Sequence, residues 1–567
     1  MRIKDLLKKS RLVRETVRRR RLGGVHHDWT TMLGREADEW HRLKEQAAQG
    51  KAILLATSAG ASGNGAVTNL ESMLSVALTQ RGAAVHLLLC DGVLPACQEC
   101  DIGWYPDEGR FGREGPSRNH CDSCFKPAQN AYAALGLTVH RYSDMLTPED
   151  FQAAERIAGD PPVADLRAFV WEGLNLGEQA LAGALRYYGR ADLSGRHVEE
   201  VTHRYLVAGL LTAMAMRRLL DQHDFAAVVA HHGIYVPQGI VGQVARERDV
   251  RFVTWHTAYR KRTFIFSHGD TYHHTMMTEP PDTWESMDWT PDMDRQITDY
   301  LRSRWWGFND WVHFVGKPEV RVEALSKKLN IDLTKPTIGM LTNVMWDAQL
   351  HYPSNAFPNM LDWVLKTIAY FAKRPELQLL IRVHPAEVRG TLLSRQPIIA
   401  EISRAFPELP SNVILIPPES SAGTYALMEQ CDSVLIYGTK AGVEVTSLGI
   451  PTIVAGEAWI RDKGITSDAQ SEAHYTQLLD QLPLNARLTD EQVLRARKYA
   501  YHFFFRRMVP LETVEPHKGY PPFTLRLSRL ADLAPGSDVG LDVVCDGILE
   551  GAPFVFPYEE QPEEVFS

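Results

Sequence analysis

Apolar and polar positions alternate along this chain in two long blocks. In the first, 52–56 is a short apolar run, 58–65 is a glycine-rich turn, and 67–81 carries apolar residues at helical spacing. A second apolar run follows at 84–90, so the block opens as a strand–helix–strand unit. A strand is expected at 137–142, mostly helix over 148–222, then a strand at 226–230, a helix at 238–248 and a strand at 251–255. Residues 51–277 therefore read as one open α/β domain with two insertions, a cysteine-rich one at 91–127 and a helical one. Residues 278–335, rich in Pro, Asp and Trp, show no period and read as a connector. The second block begins at 336. Strands are expected at 337–341, 377–383, 412–416, 433–437 and 451–454, with helices at 357–371, 423–430 and 442–448. Residues 336–475 form a second α/β domain on this reading, and 476–567 a long helix (491–507) followed by a proline-rich tail. The fold class expected is α/β, two Rossmann-like domains facing a cleft, with ligands at the carboxyl ends of parallel strands.

Composition narrows the function. The chain has 567 residues, of which 44% are hydrophobic and 23% charged, enough for several packed cores. A net charge of −9 argues against a nucleic-acid binder acting through bulk positive charge. Apolar runs such as 208–216 are far shorter than the ~20 residues of a membrane span, and the N-terminus lacks the apolar core of a secretory signal. A cytoplasmic enzyme is expected. Within the N-terminal arm 1–50, residues 1–22 carry ten Lys and Arg on what reads as an amphipathic helix. It suits an anionic membrane surface, where each basic residue contributes about 1 kcal/mol.

Cys97-x2-Cys100 and Cys121-x2-Cys124, twenty residues apart, have the spacing of two zinc knuckles. The glycines and prolines between them suggest a segment without a core of its own, ordered by one structural zinc. No catalytic metal is expected: Asp292-x-Asp294 lies in the unpatterned connector and reads as surface charge.

Three pieces of the second block carry chemistry. Arg382-Val-His384-Pro385-Ala-Glu387 ends a strand, and Arg with His suits a phosphate. Gly438-Thr439 opens a helix, whose first N–H groups face an anion, and Glu444 lies further along it. Thr342-Asn343-Val-Met-Trp346-Asp347 follows the first strand of the block. With these motifs, residues 336–460 resemble the capsule polysaccharide synthesis glycosyltransferases, relatives of bacterial Kdo transferases and sialyltransferases of the two-domain GT-B type. The resemblance implies a donor site at Asn343, Asp347, Arg382, His384, Glu387, Gly438, Thr439 and Glu444. In it the His-Pro histidine contacts the nucleotide phosphate, and the Gly-Thr turn binds phosphate or ribose. It implies a nucleotide-sugar donor, CMP-linked sugars among the options, and a saccharide or lipid-linked saccharide acceptor. The acidic acceptor-activating motif of the sialyltransferases is not legible.

The base is then expected in the first block, at strand ends. His232 and His256 are the candidates, since a histidine titrates near neutrality. Gly60, Gly63 and Gly65 form the loop on the acceptor side. Two other readings compete: a nucleotide-sugar 2-epimerase, and a non-catalytic polysaccharide-assembly protein.

Overall fold

The computed structural model describes residues 26–58, 65–159, 161–307, 309–311, 317–332, 334–347, 350, 352–390, 392–517 and 522–561. The basic stretch 1–22, Gly60 and Gly63 lie outside these. The chain forms two compact units: residues 1–188, 192–272 and 507–567 make the first, and 189–191 with 273–506 the second.

The first unit is built on β1 (Ala52–Ser58), β2 (Ala84–Leu89), β3 (Thr138–Arg141), β4 (Phe225–His231), β5 (Arg251–Thr257) and β6 (Thr263–His268). Their order is β6-β5-β4-β1-β2-β3, with the strand Met508–Pro510 added beyond β6. The β1 to β5 pairings are parallel, whereas β5–β6 and β6–Met508 are antiparallel. Leu54 sits opposite His86 on one side and Val228 on the other. The chain therefore moves outward from β1 in both directions, which makes a switch point between β1 and β4, the usual place for a ligand in such sheets. Helix α1 (Gly65–Gln80) follows β1 and is buried along nearly its whole length. That accounts for its small, apolar composition and weak amphipathicity.

The cysteine-rich segment departs from the zinc-knuckle expectation. It holds two helices, α2 (Glu108–Glu114), capped by Asp107, and α3 (Arg118–Ala133), capped by Ser117. Cys121 and Cys124 lie one turn apart on α3. Cys97 and Cys100 lie in a turn, their sulfurs 3.9 Å apart. Among the described residues no group of three or more His, Cys, Asp or Glu is gathered to hold a metal ion. Nor does the segment lack a core: Leu94, Ala96, Cys100 and Phe111 are buried in that of the first unit. Its glycines are contact residues as much as turn residues. A Cβ on Gly112 would come 2.5 Å from the Cβ of Glu200, on the long helix α4 (Val198–Gln222).

The second unit holds β7 (Thr337–Leu341), β8 (Gln378–Arg382), β9 (Val413–Ile416), β10 (Ser433–Ile436), β11 (Thr452–Val454) and β12 (Ser467–Asp468). All pair in parallel, in the order β12-β11-β10-β7-β8-β9. This is the doubly wound order of dinucleotide-binding sheets, with its switch point between β7 and β10. Trp363, Val364, Ile368 and Phe371 of α5 (Met360–Phe371) bury one side of the helix against the strand residues Ile338, Leu379 and Leu435. The connector is ordered in part as the helices Pro291–Ser303 and Val322–Leu329. There Asp294 pairs with Arg497 at 2.9 Å and Asp292 pairs with Arg295.

The stretch read as a proline-rich tail is folded. Met508–Pro510 pairs with β6, Val514–Pro516 and Phe523–Leu525 form a hairpin, and Val539–Glu550 is a helix with Leu541, Val544, Cys545 and Ile548 buried. Its strands are three residues long, too short to show a period of two.

Candidate active site

The second unit's switch point gathers the loops after β7, β8 and β10. Asn343 donates its side-chain N–H to the carbonyl of Gly438 at 3.2 Å, which ties the β7 loop to the β10 turn. His384, just beyond β8, donates its backbone N–H to Thr342 Oγ1 at 3.1 Å. Trp346 packs with Val344 and Leu392 and donates to Ser394 Oγ at 3.1 Å, fixing the β7 loop against the segment that follows His384. Three loops far apart in sequence are thus held to one another by hydrogen bonds.

The state of His384 follows from its partners. Its Nδ1 accepts the Ala386 backbone N–H at 3.1 Å, so in the neutral ring the proton resides on Nε2, which acts as a donor. Burial, and then the charges of Lys440 and Arg382, hold its pKa down to about 4. At neutral pH the ring is an uncharged donor.

The β10 turn is tight. A Cβ on Gly438 would lie 3.1 Å from the Glu457 carbonyl oxygen. Thr439 Oγ1 accepts the Ala441 N–H at 3.4 Å at the start of α6 (Ala441–Ser447). That short helix bears Glu444, whose role differs from the expected contact with sugar hydroxyls. Its carboxylate is buried, with Lys440 Nζ at 2.6 Å and Arg304 Nε at 3.2 Å. Arg304 also pairs with Asp310, which accepts from Tyr300 at 3.0 Å. Burial pushes the Glu444 carboxyl up while Arg304 pulls it down; burial and Arg304 lower the Lys440 ammonium. The cluster braces the underside of the turn.

Arg382 and Glu387 are likewise turned inward. Arg382 donates to the carbonyls of Pro417 (2.6 Å) and Ser420 (3.2 Å) and to Thr424 Oγ1 (3.3 Å), and burial holds it at about 10. All three guanidinium nitrogens have protein partners, so the arginine clamps the β9 loop. Glu387 is buried and accepts the Ile398 N–H at 3.3 Å; burial pushes its carboxyl up to about 7. Asp347 is exposed. The structure therefore brings together Asn343, His384, Gly438 and Thr439, and sets Glu444 beneath them. Sequence reasoning missed Lys440, Arg304 and Asp310. Lys440 was the findable one, four residues before Glu444 on the same face.

In the first unit, His231, His232 and His256 converge at the carboxyl ends of β4 and β5, beside the switch point. The His231 ring stacks on His256 at 5.4 Å and lies 4.6 Å from Trp255. His232 meets His256 at 4.9 Å. His232 and Gly233 both have positive φ, 69° and 75°, so the chain turns sharply as it leaves β4. His256 Nδ1 lies 2.7 Å from the Thr257 carbonyl oxygen. A carbonyl only accepts, so Nδ1 carries the proton and Nε2 keeps a lone pair, the arrangement of a base. His231 is fully buried, and burial followed by the charge of His256 holds its pKa well below the usual value. Trp255 Nε1 donates to the buried Glu71 Oε1 at 2.9 Å, anchoring the wall of the cluster. Gly65 starts α1 at this end of β1. His268 stacks on Phe554 at 4.4 Å and pairs with the Ala552 carbonyl at 2.9 Å.

Two doubly wound sheets, one with a histidine donor and a tight Gly-Thr turn at its switch point, define an α/β protein. Residues 317–503 match the family described as capsule polysaccharide biosynthesis protein. No curated protein sequence matches the chain. Among solved structures it is similar to the KpsC β-Kdo 2,4-transferase of Thermosulfurimonas dismutans (15% identity, 49% of this chain and 79% of that one, TM-score 0.33). It is also similar to the UDP-GlcNAc 2-epimerase of Neisseria meningitidis (10% identity, 79% and 97%, TM-score 0.26). Among the described residues no helix is long and apolar enough to cross a membrane.

Proposed function

We propose that this chain is a glycosyltransferase that moves a sugar from a nucleotide-sugar donor to a growing surface polysaccharide. One observation carries the reading. Inside the region matched to the capsule family, a neutral histidine with its proton on Nε2 stands at the switch point beside the turn that Asn343 ties down. As the glycosidic bond breaks, negative charge grows on the leaving nucleotide phosphate. A fixed donor gains strength as that charge develops and needs no reorganisation. His256, with its Nε2 lone pair, is our candidate for the base that takes the acceptor hydroxyl proton, and His232 shares the cluster.

The test is a thermal-shift screen of CMP, UDP, GDP and dTDP, followed by turnover of sugars linked to the nucleotide that stabilises. Transfer to a saccharide supports the reading. Release of a free epimerised sugar makes the chain a 2-epimerase, and stabilisation by no nucleotide overturns the donor site.

Two further parts of the proposal concern the remainder of the chain. A structural zinc on Cys97, Cys100, Cys121 and Cys124 is supported by the paired spacing. Metal analysis finding well under one zinc per chain would refute it. Residues 1–22 would hold the enzyme at an anionic membrane surface, checked by vesicle co-sedimentation with and without them.

A further inference from the structure

Between α2 and α3 lies a cavity of about 450 Å³, within the size range of small-molecule sites. It belongs to neither histidine cluster. Its walls are aromatic: Trp104, Tyr105, Phe111 and His120. They are preformed. Phe111 stacks on Tyr187 at 4.6 Å, and Tyr105 packs on Phe111 at 5.1 Å and on His120 at 5.4 Å. Trp104 stands edge-on to His120 at 5.7 Å. Tyr105 also accepts the Ser117 N–H through its hydroxyl at 3.3 Å. The rim is polar and mixed in sign, with Asp107 and Glu114 against Arg110 and Arg118. Arg110 pairs through Nε with Glu114 at 2.7 Å, and Arg118 through Nε with Asp122 at 2.9 Å. A guanidinium has five N–H donors, so each retains capacity beyond its ion pair.

A rim that balances two cations with two carboxylates does not select an anion. It offers donors and acceptors together, over rigid aromatic faces. A pyranose ring presents the complementary surface: an apolar C–H face and hydroxyls that both donate and accept. We propose that this cavity binds a neutral, hydroxyl-rich saccharide, a sugar of the acceptor chain held away from the reacting end. The inference rests on the glycosyltransferase reading for the identity of the ligand, not for the existence of the site.

The full-length protein is probed on an array of neutral and acidic pyranose oligosaccharides, and the retained sugars are titrated against Trp104→Ala, Trp104→Phe and Arg110→Ala. We expect affinity to fall by tenfold or more in W104A, less in W104F, and severalfold in R110A. Donor hydrolysis without acceptor should be unchanged in all three. Arg110 has an exposed side chain, so R110A serves as the test should W104A melt early. Retention of no saccharide, retention unaffected by W104A and R110A, or loss of binding only for acidic sugars would overturn the proposal. Saccharide binding at Trp104 in a protein that turns over no nucleotide sugar would sink the enzymatic reading and leave the cavity standing.

Discussion

Replacing His384 by alanine removes one fixed donor from the phosphate side of the proposed reaction. The ring lies at a strand end, with its backbone N–H on Thr342 and its Nδ1 on the Ala386 N–H. Loss of one such donor lowers turnover by roughly 10²–10³-fold, about 3–4 kcal/mol of transition-state stabilisation. The structural cost is smaller: one neutral hydrogen bond, about 1 kcal/mol. H384A should therefore melt within a few degrees of the wild type and bind the free nucleotide, yet fall at least a hundredfold in kcat. The pH profile adds a second constraint. With a pKa held down to about 4, the ring is neutral throughout the working range, so its titration leaves no limb in kcat between pH 6 and 8. Steady-state transfer, measured with saturating donor at several pH values, checks both points. An H384A enzyme within about threefold of wild type would refute the assignment, as would a kcat limb near neutrality that His384 alone removes.

Three other outcomes follow from inward-facing groups. Arg382→Ala strips the donors from Pro417, Ser420 and Thr424 and should cost about 3 kcal/mol or more in thermal unfolding, while nucleotide affinity at a permissive temperature is retained. Glu387 is raised to about 7, so its contribution to stability is full below its unfolded value near 4.5 and is lost as pH rises through 7; E387Q should melt like wild type at pH 5 and higher than it at pH 8. His86, lowered to about 4 by burial and then by His140 and His223, stabilises above its unfolded value near 6.5 and loses that contribution as pH falls toward 4. In melting curves, H86Q should therefore lose less stability than wild type between pH 7 and pH 5.

The parallel strands were legible because buried strands read as unbroken apolar runs. The strand 337–341 was read to the residue and the other parallel strands within one or two, while the two-residue β12 was not read. β6 escaped because its run, Thr263–His268, follows a turn of charged residues and pairs antiparallel with β5. Its apolar stretch is followed by a helix of only seven residues, Tyr272–Thr278, too short to announce a unit. At the candidate site, the pattern did not show which way the side chains turn. Arg382 is the last residue of β8, and period two alone cannot say that its side chain folds back on the β9 loop. Glu444 looked like a hydroxyl acceptor because its partner Arg304 stands 140 residues earlier in an aperiodic segment. The glycines of the cysteine segment looked like loop filler, yet Gly109 and Gly112 are helix residues pressed against neighbours.

The strand Met508–Pro510 completes the first unit's sheet only after the whole second unit has been made. Some 240 residues separate the end of β6 from it (508 less 268). At about 5–20 residues per second, β6 leaves the ribosome roughly 12–48 s before its outer partner does. Through that interval its outer backbone groups have no strand to pair with, an edge of the sort that recruits other chains. A nascent or truncated product that stops before residue 507 keeps that edge for good, and so becomes a candidate for chaperone capture or aggregation even though every parallel strand of both sheets is already encoded.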